Sequence, residues 1–408
     1  FTPSFFNQNT TSNYQGNLLK DSKANFNFGN AGIVLSYYDE GKKSDWKGLV
    51  FGFGYNRLNN FNNQIAIKGK NDNNSLLDVY LADANSNGKN VDSYDQFGTR
   101  LAWDTYLLDT TSAGVYYHVL PQFGETQEKT ITSSGSKGEA VFSFGGNYSD
   151  KLFLGATIGV PHIHYYETSS YSEKADTSGL NSFKSFQLDQ NLTTTGKGIN
   201  FKFGMIYRPL DWIRIGGAIH SPSYFNMHDD YSSNMTSHVY GTTYTAQSPA
   251  GSFDYTLTTP MKAIGSIGFV INKMGLINAD YEYVDYSTAS MHSSNYSFLT
   301  ENMAIHQKYT MANNFRIGTE WRLAPMSIRG GVAFYGSPFK QGVGNDGSRI
   351  SYTGGLGFRE ENFFVDFAYV LTVLNENYYL YDPTSTGVSP SANTSKMSSV
   401  MMTVGFKF

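Results

Sequence analysis

Cysteine is absent from the 408-residue chain. That excludes disulfides, thiolate metal sites and cysteine nucleophiles, although it fixes no compartment. Charge is scarce as well: Asp, Glu, Lys and Arg make up 16% of the residues, against roughly a quarter of an ordinary soluble domain. The 30 Lys and Arg and 34 Asp and Glu leave a net charge of −4 with no basic stripe, which argues against a nucleic-acid partner. No run approaches the ~18 apolar residues that mark a membrane helix. The longest apolar stretches, GLVFGFGY and FFVDFAYVLTVL, read better as strands.

Aromatic residues are plentiful: 30 Tyr and 30 Phe, alongside 41 Gly and only 11 Pro. Mean hydropathy is nevertheless −0.37. An aromatic-rich chain with few charges and no spanning run suits a transmembrane β-barrel, where only alternate strand residues meet lipid.

Parity along the strands supports this. Phe315, Ile317, Thr319, Trp321 and Leu323 alternate with Arg316, Gly318, Glu320 and Arg322. Phe201, Phe203, Met205 and Tyr207 oppose Lys202 and Arg208, and Ile213, Ile215 and Ile219 oppose Arg214. Ile328, Val332 and Phe334 oppose Arg329, and Phe363, Val365, Phe367 and Tyr369 oppose Asp366. The last strand carries Val400, Met402, Val404, Phe406 and Phe408 on one parity. Period-two alternation gives each strand one apolar face, here predicted to face outward, with the charges inward. Aromatics near strand ends, among them Trp46, Tyr207, Trp212, Trp321 and Phe363, fit interfacial girdles.

Turn lengths fall into two classes. Short connections fall at 39–45, 149–150, 210–211, 272–274, 324–325 and 360–361; longer ones at 69–137, 174–195, 228–252, 291–312, 338–348 and 381–395. The expectation is one all-β domain over 1–408, an antiparallel barrel of about fourteen strands with short periplasmic turns, long extracellular loops and both termini periplasmic. The 69–137 loop is expected to contain short helices, because Leu76, Leu77, Tyr80 and Leu81 follow helical spacing. These four, with Trp103 and Leu107, fold onto the barrel mouth or also form an outer capture surface for a hydrophobic ligand.

Inward Lys202, Arg208, Arg214, Asp280, Glu282, Arg316, Glu320, Arg322, Arg329 and Asp366 require hydration or pairing. Three arrangements satisfy that: a water channel, docking of a plug, or a ladder of cross-strand pairs in the wall. No catalytic constellation or cofactor motif stands out. His162 and His164 share a strand face but read as ordinary strand residues, and His228, Asp229 and Asp230 as a solvated loop. The glycines of GFGYN and GGLGF lack the strand–helix context of a phosphate loop and fit a kink or close packing in a strand.

The phrases YRPLD (207–211), TTPMK (258–262), DYEYVDYS (280–287) and FRIGTEWRL…IRGG (315–331) resemble the outer-membrane FadL family. The resemblance implies a fourteen-stranded barrel in a Gram-negative outer membrane that takes up hydrophobic compounds such as long-chain fatty acids without an energy source or cofactor. It implies ligand capture by extracellular loops and sideways exit near a kinked third strand, with Gly52 and Gly54 the candidates for the kink. On this reading the inward Arg316, Glu320, Arg322 and Arg329 are expected to anchor a plug or a carboxylate headgroup. The family's N-terminal hatch is not visible ahead of the first strand, so the sequence reads as processed or truncated at its front. Expected partners are outer-membrane lipid, the hydrophobic ligand and, through the terminal Phe408, the barrel assembly machinery. The rival reading, also a member of this family, is an adaptor or shuttle barrel that docks other proteins, as in type IX secretion; an outer-membrane hydrolase is a third.

Overall fold

A computed structural model describes residues 1–38, 44–86, 90–120, 122–176 and 182–408. Fourteen antiparallel strands form one closed barrel. In chain order they are β1 Thr2–Tyr14, β2 Asn17–Tyr38, β3 Trp46–Asn60 with Asn63–Asn71, β4 Glu125–Tyr148 and β5 Leu152–Lys174. There follow β6 Phe183–Leu210, β7 Ile213–His220 with Tyr224–Val239, and β8 in three pieces, Thr242–Gln247, Gly251–Thr258 and Lys262–Ile271. The last six are β9 Gly275–Asp285, β10 Met311–Leu323, β11 Met326–Tyr335, β12 Arg349–Arg359, β13 Phe363–Tyr378 and β14 Ser391–Phe406. Each strand pairs with the next, and β14 closes on β1 from Ser4 opposite Met401 to Asn13 opposite Ala392. None of the described helices is long and apolar enough to cross a membrane.

The outward parity is the apolar one, as the alternation predicts. Phe201, Phe203, Met205 and Tyr207 are exposed on β6, Phe315, Ile317 and Trp321 on β10, and Val400 and Phe406 on β14. Near the short turns, Trp46 packs edge-on against Tyr148 and Trp212 stacks on Phe269. Ser149–Asp150 and Asn272–Lys273 turn tightly with positive φ at both residues, the geometry two-residue hairpins favour. The turn expected at 39–45 falls mostly outside the described residues.

The long connections differ from the sequence reading. Strands continue through much of the ranges read as loops at 69–137, 174–195 and 228–252: β3 runs to Asn71, β4 starts at Glu125, β6 at Phe183, and β7 reaches Val239. A strand of 28 residues such as β6 far exceeds the ~9–11 needed to cross the hydrocarbon. Its far half carries Phe186, Leu188 and Leu192 on the inward parity, and around Thr193, Thr194 and Thr195 it is polar on both, so no outward apolar face marks it as a strand. The excess length projects on the side of the long loops.

Changing an outward residue in mid-wall tests the orientation. Ile317→Arg should destabilise the barrel by about 2–4 kcal/mol in chemical unfolding from lipid vesicles, with Ile317→Leu near neutral. Equal costs would place Ile317 away from lipid.

Candidate functional site

Three clusters of charge line the inside of the wall. On β9 and β10, the buried Glu282 carboxylate receives Arg316 at 2.6 Å and the Asn314 amide at 2.9 Å, with Lys262 of β8 at 3.5 Å. Farther round, Arg329 of β11 reaches Glu320 of β10 at 2.8 Å and Asp366 of β13 at 2.7 Å, while Arg322 meets Glu320 at 2.7 Å. Arg329 spans β12 to do so. A Cβ on Gly357 would lie 2.4 Å from the Asp366 carboxylate and from the Ser327 hydroxyl, so this glycine of GGLGF serves close approach. The third cluster joins Glu139 of β4 to Lys202 and to Asn200 of β6. It lies over Gly159 of β5, where a Cβ would meet both Glu139 and Asn200 at 2.5 Å.

These pairs bear directly on the proposed anchors. Arg316, Arg322 and Arg329 are each matched by a carboxylate, and the pairing of Arg322 and Arg329 with Glu320 and Asp366 is electrically balanced. Of the arrangements the inward charges allow, this is the cross-strand ladder in the wall, which offsets the cost of charges in a low-dielectric wall. Arg208 stands at the rim, 3.7 Å from Asp211 of the adjacent turn. Arg214 is exposed on β7 beside Gly268.

A cavity of about 670 Å³ lies against the β9–β14 arc. Phe6, Leu276, Val370 and Met397 give it apolar walls, and Arg316, Tyr335 and Arg349 line it as well. The Arg349 guanidinium stands 4.5 Å above the Tyr335 ring and has no carboxylate partner among the described residues. Sequence reading passed over Arg349 because it opens β12 at the edge of a predicted loop. Its parity with Ser351 and Thr353 was the available signal.

The 72–124 connection folds into a cap. Helix α1, Leu76–Ser86, starts with Ser75 accepting from the Leu77 N–H at 3.0 Å and Asp78 accepting from the Ser75 N–H at 2.9 Å, a reciprocal capping pair. Leu76, Leu77, Tyr80 and Leu107 are buried, and Leu81 and Trp103 pack partly buried beside them. They share one core with Tyr14 of β1, Ile67 of β3, Phe186 of β6, Met235 of β7 and Leu380 beyond β13. The six residues expected as a capture surface therefore form the cap's interior, because burying them against the barrel's end is the available way to cover that apolar area. They fold onto the mouth, the first of the two arrangements their sequence allowed.

Beneath the cap, Glu173 is fully buried. It accepts from Ser75 Oγ at 2.6 Å, from the Leu76 N–H at 2.8 Å and from the Tyr171 hydroxyl. Burial pushes its carboxyl up to about 7, although the Ser75, Tyr171 and Leu76 hydrogen bonds pull the other way.

One seam in the wall lacks a ladder. β2 pairs with β3 only from Asn30 opposite Asn56 to Tyr38 opposite Gly48. Toward the extracellular end, β3 bulges between Arg57 and Asn59 and breaks at Phe61 and Asn62. From there side chains bridge the strands: Asn60 to Asn25 at 3.0 Å, Gln64 to Asp21 at 2.9 Å, and Asn17 to the Lys68 carbonyl at 2.8 Å. Gly52 and Gly54, expected at a kink, lie in unbroken pairing with both β2 and β4. They line a pocket of about 390 Å³; the interruption falls at Phe61 and Asn62 instead.

The family model described as "Outer membrane protein transport protein (OMPP1/FadL/TodX)" matches residues 149–408. Among solved structures, a Pseudomonas aeruginosa FadL homologue aligns over 100% of this chain and 89% of its own, with TM-score 0.56 and 12% identity. The P. putida toluene transporter TodX aligns over 100% and 89%, with TM-score 0.53 and 10% identity. These likenesses show the fold. No curated protein matches the chain significantly.

The cap should respond to pH. The folded carboxyl of Glu173 lies above its ordinary value, so its contribution to stability is fully present below the unfolded pKa of about 4.3 and lost as pH rises through about 7. Urea unfolding of the cap, followed by Trp103 fluorescence, should give a lower midpoint at pH 8 than at pH 5. Glu173→Gln should largely remove the difference; an unchanged pH response in that variant contradicts the assignment.

Proposed function

This chain belongs to the outer-membrane transport protein family OMPP1/FadL/TodX, and from that premise we propose that it carries small hydrophobic molecules passively across the outer membrane, long-chain fatty acids or similar compounds. The observation behind this reading is the lumen cavity, where apolar Phe6, Leu276, Val370 and Met397 share the space with Arg349. An amphipathic molecule matches that pairing: its chain lies along the apolar wall and its carboxylate meets Arg349, with Tyr335 holding the guanidinium in place. The paired Arg316, Arg322 and Arg329 keep the wall closed and leave the headgroup to Arg349. No chemical step is required, so the protein acts as a channel and not as an enzyme.

The route begins at the margin of the cap, since the cap's apolar residues are committed to its own core. It ends sideways, at the seam between β2 and β3, which begins at the extracellular edge of the apolar belt, so the ligand leaves at the headgroup level of the outer leaflet. Absence of ladder bonds supports that exit: parting Asn25 from Asn60 and Gln64 from Asp21 breaks side-chain hydrogen bonds only, each worth about 0.5–1.5 kcal/mol net. Short turns and both termini then face the periplasm, the orientation in which long loops meet the ligand outside.

Uptake into proteoliposomes tests the headgroup. Arg349→Gln should lower uptake of labelled oleate by about tenfold, the scale of one charge-assisted hydrogen bond, and change uptake of an uncharged aromatic hydrocarbon by less than about twofold. Equal effects on the two compounds would remove Arg349 from ligand recognition.

A further inference from the structure

Ladder register places several basic residues on the outer face of the barrel, among them the His162 and His164 that the sequence alone gives as ordinary strand residues. Arg57 of β3 lies opposite Gly138 of β4, Gly138 opposite His162 of β5, and His162 opposite Lys197 of β6. These positions form one row across four adjacent strands. His164 stands on the same face one step toward the extracellular side. The missing side chain at Gly138 makes room for the cluster: a Cβ there would lie 2.3 Å from the Tyr55 hydroxyl and 2.7 Å from the His162 ring. The Tyr55 and His162 rings stack over that gap at 5.6 Å. Lys197 and His164 are exposed and Arg57 is half-buried. None of these four basic residues has an acidic partner among the described residues, in contrast to the matched pairs inside the wall.

The height of this row matters. The next row toward the periplasm is Tyr55, Ala140, Val160 and Ile199. Beyond it come Phe53, Phe142, Ile158 and Phe201, all exposed on the outer face. These basic residues thus sit at the extracellular edge of the apolar belt, flanked by exposed Tyr166 and Tyr224, the level at which lipid headgroups lie. Directly below, an apolar groove of about 1000 Å³ opens on the outside, with Phe51, Phe53, Phe142, Phe144 and Phe203 around a floor at Ala156. From Arg57 to Phe53 is four strand residues, about 13 Å, a distance the upper part of an acyl chain covers.

We propose that this face is a binding site for a phosphorylated, acyl-chain-bearing lipid of the outer leaflet, with the phosphate on Arg57, His162 and Lys197 and an acyl chain in the groove. Charge selects the occupant. A zwitterionic lipid brings its own cation to a site already basic, whereas a phosphate monoester accepts several charge-assisted hydrogen bonds there. The site faces lipid and is separate from the lumen, so it does not depend on which compound is transported.

Lipid retention by the purified barrel in non-ionic detergent, read by native mass spectrometry, tests the proposal. Dioleoyl phosphatidic acid should be retained about tenfold more than dioleoyl phosphatidylcholine, the scale of one or two charge-assisted bonds. Arg57→Gln with Lys197→Gln should abolish the preference. Ala156→Trp, which fills the groove and keeps the charges, should lower retention of phosphatidic acid by a similar factor. Soluble glycerol phosphate should fail to compete. Equal retention of the two lipids, unchanged preference in the double variant, unchanged retention in Ala156→Trp, or effective competition by glycerol phosphate would each overturn it. Both substitutions at charges lie on the surface, and heat-modifiable migration in gels verifies that every variant remains a folded barrel.

Discussion

Backbone hydrogen bonding in a medium without water governs this molecule. In hydrocarbon each unpaired N–H or C=O costs several kcal/mol, so a wall of strands must pair along every edge or satisfy the edge some other way. The ladder does this around the ring and closes between β1 and β14. Beyond the extracellular edge of the apolar belt the constraint relaxes, and the seam between β2 and the outer piece of β3 is held by side chains instead: the Asn17 amide and the Lys23 ammonium reach backbone carbonyls of Lys68 and Ser133, both at 2.8 Å. A seam held by side chains parts at a lower cost than one held by a ladder, which is the basis of the exit proposed there.

The same constraint explains the interior. A single-sheet wall leaves its inner charges between lipid and lumen, where they persist when matched. Arg329 is matched twice, to Glu320 and Asp366, and glycines at Gly159 and Gly357 clear the space in which the pairs meet. Arg316, Arg322 and Arg329 therefore belong to the wall. Arg349, stacked on Tyr335, has no carboxylate partner among the described residues, which is why the headgroup is proposed to meet it. At the outer end the same physics appears in another form, with the cap burying its leucines against the rim and Glu173 buried at the start of α1.

Much of this was legible in the sequence, for a physical reason. Where lipid covers one face, alternation is strict, so β6 around Phe203, β10 around Ile317 and β14 around Val400 could be oriented residue by residue. Beyond the membrane that signal fades: the Thr-rich half of β6 and the polar end of β7 read as loops, yet they pair. Helical spacing located α1, but spacing does not say which way an apolar stripe turns, and Leu77 and Leu107 turn inward. Glycine permits a kink at Gly52 and Gly54, yet pairing there is unbroken. The break came instead at Phe61 and Asn62, where partner geometry decides. Inward charge was visible from parity, whereas pairing across three strands, as at Arg329, depends on register that no local pattern carries.

The proposed route depends on the β2–β3 seam. Because the chain has no cysteine, Asn25→Cys with Asn60→Cys would introduce a single pair across it, where the native side chains meet at 3.0 Å. Oleate uptake into proteoliposomes should be lost when this pair is oxidised and return on reduction, with each single variant active under both conditions. Undiminished uptake through the oxidised barrel would contradict sideways passage at this seam.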